Sequence, residues 1–382
     1  MRVTLFANVL PSFNPYIALL QRSIQPYCDA PVDLRPRFEL DWVWRQARPG
    51  DIAHLHWIES HLRPVPWFGK EAVSWRRLVN RLGENRLTYP ARATGLLGQL
   101  AWALSQARRA GVRLVYTVHN LAPHDARPNY LGRLAERANR LILAQADAVH
   151  VHSRAAALAL QRAYGRTHNV FVVPHGNYLG WYANTLSRAE ARRSLALPEA
   201  AFVYLFLGQI APYKGLEELL AAFSQLADPA TYLVIAGKVV RPEYLDHLGA
   251  RVTQPRVVFR PGFVPDEALQ LYLNAADIVV NPYQQITTSG SVMLALSFGR
   301  PVLAPAFETL AEVIAPAAGL LYPVGEPGAL AGALREARTR NWSSAAVLAE
   351  AHRFDWPELG QRLVQVYRAA LGETAAGGEA PP

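Results

Sequence analysis

The sequence predicts an α/β protein built from two parallel-sheet domains, and three observations carry that prediction. At 382 residues the chain has the length of about two domains, and 51% hydrophobic residues suffice to fill the core of each. Its apolar runs are short, rich in β-branched residues and continuous instead of alternating, which marks strands buried on both faces. Helix-length segments separate those runs, and the succession occurs twice with a break between.

In the first half the runs are VTLFANVL (3–10), DIAHLHWI (51–58), RLVYTVHN (113–120), ADAVHVHS (146–153) and NVFVVPHG (169–176). Parallel sheets bind ligands beyond the carboxyl ends of their strands, which puts Asn8, His56, Glu59, His119, Asn120, His152 and His175 near one rim. The second half opens with FVYLFLGQI (202–210), then a turn through Pro212, Tyr213, Lys214 and Gly215 into the helix LEELLAAFSQL. Strands TYLVIAGKV and RVVFRPGFV, the helix DEALQLYLNAA and the strand DIVVNPY follow. The joint is expected between Tyr178 and Arg193, giving domains of 1–180 and 181–354. A closing amphipathic helix over 355–372 completes the first, and the Gly- and Pro-rich tail 373–382 is expected to be disordered.

The stretch QQITTSGSVMLALSFGRPVLAP (284–305) organises the second half. Thr287, Thr288 and Ser289 offer N-capping hydroxyls, Gly290 leaves the backbone open to a ligand, and the apolar run from Ser291 to Phe298 reads as a buried helix stopped by Gly299. No acidic side chain occupies its first turn, so the free amides and the positive end of the dipole suit a diphosphate. An ordinary capped core helix would read the same way.

A formal charge of +9 points to anionic partners: nucleic acid, phosphorylated substrates or an acidic membrane face. The single cysteine, Cys28, excludes a disulfide framework and suits a reducing interior. The opening residues form a short apolar run broken by Pro11, and no uninterrupted apolar stretch reaches about 18 residues, so a soluble or peripheral protein is expected. Between Trp67 and Arg109, Lys and Arg residues alternate with Trp67, Phe68, Trp75, Tyr89 and Trp102. Such interleaving suits an anionic bilayer surface, or else a solvated helix face over core aromatics. Without a helix-turn-helix, zinc or RNP pattern, nucleic acid is not expected as a partner. HLHW lacks a third metal ligand, and GQIAPYKG lacks the glycine spacing of a P-loop.

In order, GQIAPYKGLEELLAAF, TYLVIAGK, VVFRPGFVPDEALQLYLNAADIVVNPY and SGSVMLALSFGRPVLAP resemble the donor-domain motifs of GT-B glycosyltransferases. TVHN, VHSRAAALAL and VVPHG resemble the matching acceptor-domain signals, and FDWPELGQRLVQVYRAAL resembles the closing helix that returns to the first domain. The resemblance implies a GT-B fold: two Rossmann-like domains with parallel sheets facing a central cleft, the nucleotide sugar held by the second and the acceptor by the first. It makes Lys214 the diphosphate contact and adds Gln209, where an arginine is usual, with Tyr283, Thr287, Thr288, Ser289, Gly290, Ser291 and His175 to the donor set. The two glutamates of retaining members are replaced by Ile286 and Leu294. That departure, with TVHNLAPHD, is similar to inverting mannosyltransferases of bacterial exopolysaccharide assembly, the xanthan type, which use GDP-mannose.

What the resemblance implies is a metal-independent transferase without a cofactor, the nucleotide sugar being a substrate: GDP-mannose is favoured, a UDP-sugar is the other donor considered. Its acceptor would be lipid-linked or saccharide, and its place the cytoplasm, peripheral on the inner membrane face. Inversion needs a general base in the first domain. Asp125 and His119 rank first, Glu59 and His124 next. A retaining transferase, a sugar-nucleotide epimerase and an inactive binding module of the same fold stay open as alternatives.

Overall fold

The computed structural model describes residues 1–8, 14–58, 88–120, 130–252 and 254–373. Within these residues the chain forms two six-stranded sheets in which every pairing is parallel. The first has the order β2-β1-β3-β4-β5-β6, with β1 Val3–Phe6, β2 Asp33–Arg35, β3 Ile52–His56, β4 Arg113–Thr117, β5 Ala148–Val151 and β6 Val170–Val172. The second has the order β12-β11-β10-β7-β8-β9, with β7 Phe202–Leu207, β8 Thr231–Gly237, β9 Val257–Pro261, β10 Ile278–Val280, β11 Val302–Pro305 and β12 Gly319–Tyr322. Strands β2 and β12 are additions to the sequence reading. Edge strand β2 is three partly exposed residues with a charge at each end, and β12 is four residues opening on a glycine, so neither gives a strand-length apolar signal.

Each sheet is covered on both faces, which explains its continuous apolar runs. In the first unit one face packs Leu55, Leu114 and Val149 against Leu104 and Ile142, and the other packs Leu5, Ile52 and Val115 against Ile17, Leu20, Leu363 and Tyr367. The closing helix Trp356–Leu371 lies in that second layer. Gly360 lets it approach the Tyr16–Ile24 helix, since an added Cβ there would meet the Ser23 backbone. The compact units are Met1–Pro174 with Trp356–Pro382, and His175–Asp355. Residues 175–180, assigned to the first domain by sequence, thus pack with the second; Tyr178 N donates to Ser297 Oγ there at 2.8 Å. Of the expected disordered tail 373–382, residues 374–382 lie outside the described residues. No helix among the described residues is long and apolar enough to cross a membrane.

Candidate active site

In the second sheet the chain runs outward from β7 through β8 to β9 and then returns to the other side of β7 as β10. The β7–β10 boundary is therefore the topological switch point, where an open parallel sheet has a ligand crevice. Lys214, Tyr283, Ser289 and Ser291 gather there. Lys214 closes the 3-10 turn Pro212–Lys214, and Gly215, at φ +71°, turns the chain into the Leu216–Ser224 helix. Its ammonium lies 4.4 Å from the centre of the Tyr283 ring and 5.0 Å from that of Tyr213. Burial lowers its pKa, with Tyr213 working the other way. A cation held over two rings and half-stripped of water is a strong partner for an anion.

Below it a hydroxyl network fixes the helix start. Ser289 is the N-cap of helix Gly290–Ser297, its Oγ accepting from Val292 N at 3.2 Å. The Tyr283 hydroxyl pairs with that Oγ at 2.8 Å and donates to Asn281 Oδ1 at 3.0 Å. Ser291 Oγ donates to Leu207 O and Asn281 Oδ1, both at 3.1 Å, which ties the helix to the end of β7. With Val292 N capped and Met293 N on Ser289 O, the amides of Gly290 and Ser291 are, among the described residues, the open donors of the first turn. Thr287 and Thr288 stand in the partly exposed loop before the cap, and Gln209 is exposed just beyond β7. Burial pushes the Tyr283 hydroxyl up to about 12, so it stays a donor.

Asn281 is the residue the sequence reading missed. It is 1% exposed, and its Nδ2 is a buried donor with no partner among the described residues, at the switch point itself. Its place directly after DIVV was the available signal. Ile286 and Leu294, in the slots of the usual glutamates, pack against the apolar cluster beside the sheet. His175, with Nδ1 donating to Gly176 O at 2.8 Å, is brought down to about 4 by burial and is neutral at physiological pH. It offers hydrogen bonding but no positive charge.

In the first unit the strand-end histidines form two hydrogen-bonded rows. One runs from Tyr367 Oη to His54 Nδ1 (2.9 Å), His54 Nε2 to Thr117 Oγ1 (2.7 Å), Thr117 Oγ1 to His150 Nδ1 (2.9 Å) and His150 Nε2 to Val173 O (2.8 Å). The other runs from His56 Nδ1 to His119 Nε2 (3.0 Å), His119 Nδ1 to His152 Nε2 (3.3 Å) and His152 Nδ1 to Val173 O (3.2 Å). The Trp57 ring stacks on His119 at 3.9 Å and 8°, and Tyr16 meets His119 edge-on at 5.2 Å. Burial, then the neighbouring histidines, holds His54 and His56 well below their ordinary values. Of the base candidates, His119 sits in this array, whereas Glu59, His124 and Asp125 lie outside the described residues. Among the described residues no group of three or more His, Cys, Asp or Glu is placed to hold a metal ion.

Two sheets of this order define a GT-B fold, and solved structures share it. Sucrose-phosphate synthase from Thermosynechococcus elongatus superposes with a TM-score of 0.66 at 18% identity, covering 97% of this chain and 99% of its own. HepE (Alr3699) of Anabaena, solved with UDP and glucose, gives 0.65 at 18% identity, over 96% and 99% of the two chains. At the level of sequence, residues 22–176 match the glycosyl transferase 4-like domain and residues 187–353 the glycosyl transferases group 1 family. A GDP-mannose:glycolipid 4-beta-D-mannosyltransferase from Xanthomonas campestris pv. campestris is 30% identical over 97% of this chain and 94% of its own. The chain belongs to the glycosyltransferases.

Proposed function

We propose that the chain transfers a sugar, mannose favoured, from a nucleoside diphosphate sugar to a lipid-linked or saccharide acceptor, with inversion and without a metal, in polysaccharide or glycolipid synthesis. The observation that carries this reading is the Lys214 ammonium over Tyr283, beside the open amides of the Gly290–Ser297 helix, at the β7–β10 switch point. There the cation, the amides and Asn281 Nδ2 stabilise the charge that develops on the departing diphosphate. GDP-mannose is favoured because the Xanthomonas relative is named for it; a UDP-sugar is the other donor to test. Neutral His175 suits a sugar hydroxyl better than a phosphate. The replacement of the paired glutamates by packed Ile286 and Leu294 supports a departure from the retaining pattern.

Incubation of the protein with radiolabelled GDP-mannose and UDP-sugars, with and without a polyprenyl-diphosphate oligosaccharide, tests the reading. Label is expected in the lipid fraction only when both donor and acceptor are present. A changed sugar nucleotide without acceptor would identify an epimerase instead, and no turnover with any donor would identify a binding module. Product NMR gives the anomeric outcome.

A membrane-bound acceptor requires a surface that meets lipid, and two exposed tryptophans support one. Trp44 on the Leu40–Arg45 helix (61% exposed) and Trp102 on the Thr88–Arg109 helix (52% exposed) pack edge to face at 5.5 Å, with exposed Arg45, Arg108 and Arg109 on the same two helices. Rings of this kind settle at headgroup depth while the guanidinium groups meet anionic lipid. The localisation that follows is the cytoplasmic face of a membrane. Replacing both tryptophans by alanine is expected to weaken binding to anionic phosphatidylglycerol vesicles by at least about 10-fold, read by sedimentation, with binding to neutral vesicles already weak. Undiminished binding would remove this surface from the reading.

A further inference from the structure

The second histidine row dictates where each of its protons sits. A backbone carbonyl only accepts, so Val173 O receives N–H from both His150 Nε2 and His152 Nδ1. Neutral imidazole carries one N–H and one lone pair, so His152 Nε2 must accept, and its donor is His119 Nδ1 at 3.3 Å. His119 Nε2 in turn accepts from His56 Nδ1 at 3.0 Å. One lone pair is left over, on His56 Nε2, a buried atom with no hydrogen-bond partner among the described residues. The first row leaves none, because the Tyr367 hydroxyl donates to His54 Nδ1 and every later nitrogen is used.

That lone pair lies at a telling place. The order β2-β1-β3 makes the β1–β3 boundary the switch point of the first sheet, and His56 is the last residue of β3. Trp57, the next residue, has φ +45°, a region costly for a bulky side chain, and its ring covers one face of His119. Strain of this kind persists where the surroundings enforce it, commonly at functional sites.

We propose that His56, His119 and His152 form a single-proton relay for the transfer reaction, with His56 Nε2 the atom that takes the proton of the acceptor hydroxyl; this rests on the transferase reading above. In that step the acceptor O–H bond breaks, its proton goes to His56 Nε2, and the oxygen forms the bond to the anomeric carbon. The bond from that carbon to the diphosphate oxygen breaks, and its electron pair leaves with the nucleoside diphosphate. His56 passes its Nδ1 proton to His119 Nε2, and His119 passes its own to His152 Nε2. The charge thereby reaches His152, which then donates from both nitrogens; after product release the two shared protons move back along the row and His56 Nε2 gives the acquired proton to solvent, which restores the resting row. The rings facing His56 are His54 (4.1 Å), His119 (5.3 Å), Trp57 (5.8 Å) and Tyr16 (6.0 Å). Burial and then the other four histidines oppose charge on His56, so uptake of the proton at Nε2 is coupled to release of the Nδ1 proton to His119.

The test has two parts. Long-range 1H–15N spectra of histidine-labelled protein without substrate are expected to show His56, His119 and His152 as Nδ1–H forms and His54 and His150 as Nε2–H forms. His56→Asn keeps an N–H donor for His119 but has no basic lone pair, and His152→Gln keeps an acceptor for His119 but cannot hold the charge. With unchanged melting points, kcat is expected to fall about 100-fold in the first and about 10-fold in the second, donor KM staying within about twofold. The acid limb of the kcat profile moves to lower pH in His152→Gln, because the charge can no longer spread. An Nε2–H form at His56, or wild-type kcat and acid limb in both variants, overturns the relay and leaves the transferase standing. Absence of transfer by the wild-type protein from every donor overturns the transferase reading and the relay with it. Should a variant fail to fold, the wild-type spectrum and the other variant decide.

Discussion

Replacing Lys214 by alanine is expected to lower kcat/KM for the nucleotide-sugar donor by about 100-fold, equivalent to about 2.7 kcal/mol. The ammonium is the one charge in the cluster formed with Tyr283, Asn281, Ser289 and Ser291, so its loss leaves the diphosphate to neutral donors alone. Stability should hardly change. The cation's contact with the Tyr283 ring is worth about 0.5–1 kcal/mol, offset by release from an environment that disfavours its charge. Isothermal titration with nucleoside diphosphate and a thermal melt separate the two effects. An unchanged donor constant would remove Lys214 from the site.

The same residue sets a pH dependence whose sign is fixed. Burial lowers the pKa of Lys214 in the unliganded protein, and a bound diphosphate favours the charged form and raises it again. Donor affinity is therefore complete below the lysine's depressed pKa and declines as pH rises through it. Lys214→Arg stays charged throughout and should lose that alkaline decline, even where its longer fork fits the phosphates less well.

Lys214 and the capped helix were legible in the sequence because both are local features: a Pro-Tyr-Lys-Gly turn, and hydroxyls before an apolar run closed by glycine. The histidine rows were only half legible. His54-Leu55-His56, Thr117-Val118-His119 and His150-Val151-His152 repeat a polar-apolar-His spacing on three strands, which places each pair on one face. That the triplets form two rows depends on register, with His56 opposite Thr117 and Thr117 opposite His150, and no local pattern encodes register between strands so far apart in the chain. Asn281 escaped for the same reason. As a strand-end asparagine it reads as loop chemistry until the return of the chain to β10 beside β7 makes its position the crevice.

Gly215→Ala is expected to act on the fold instead of on the charge, lowering stability by about 2–4 kcal/mol. Two causes add. At φ +71° an L-residue is strained, and a methyl group at this position would lie 3.0 Å from the Pro282 carbonyl carbon and overlap its oxygen. The turn that carries Lys214 is therefore seated directly on the segment that carries Tyr283, and the alanine must push them apart. Gly325→Ala provides the comparison, since its φ is +76° but nothing lies within 4 Å of the added carbon, so it should cost only about 1–2 kcal/mol of conformational strain. For a unit of this size the difference corresponds to a melting point lower by several degrees in Gly215→Ala than in Gly325→Ala. The displacement should also weaken nucleotide binding in the first variant alone, because it moves the ammonium away from the ring and the amides that share the ligand with it. Equal melting points for the two variants would mean that the turn is not held against Pro282, and the positioning of Lys214 by backbone contact would have to be abandoned.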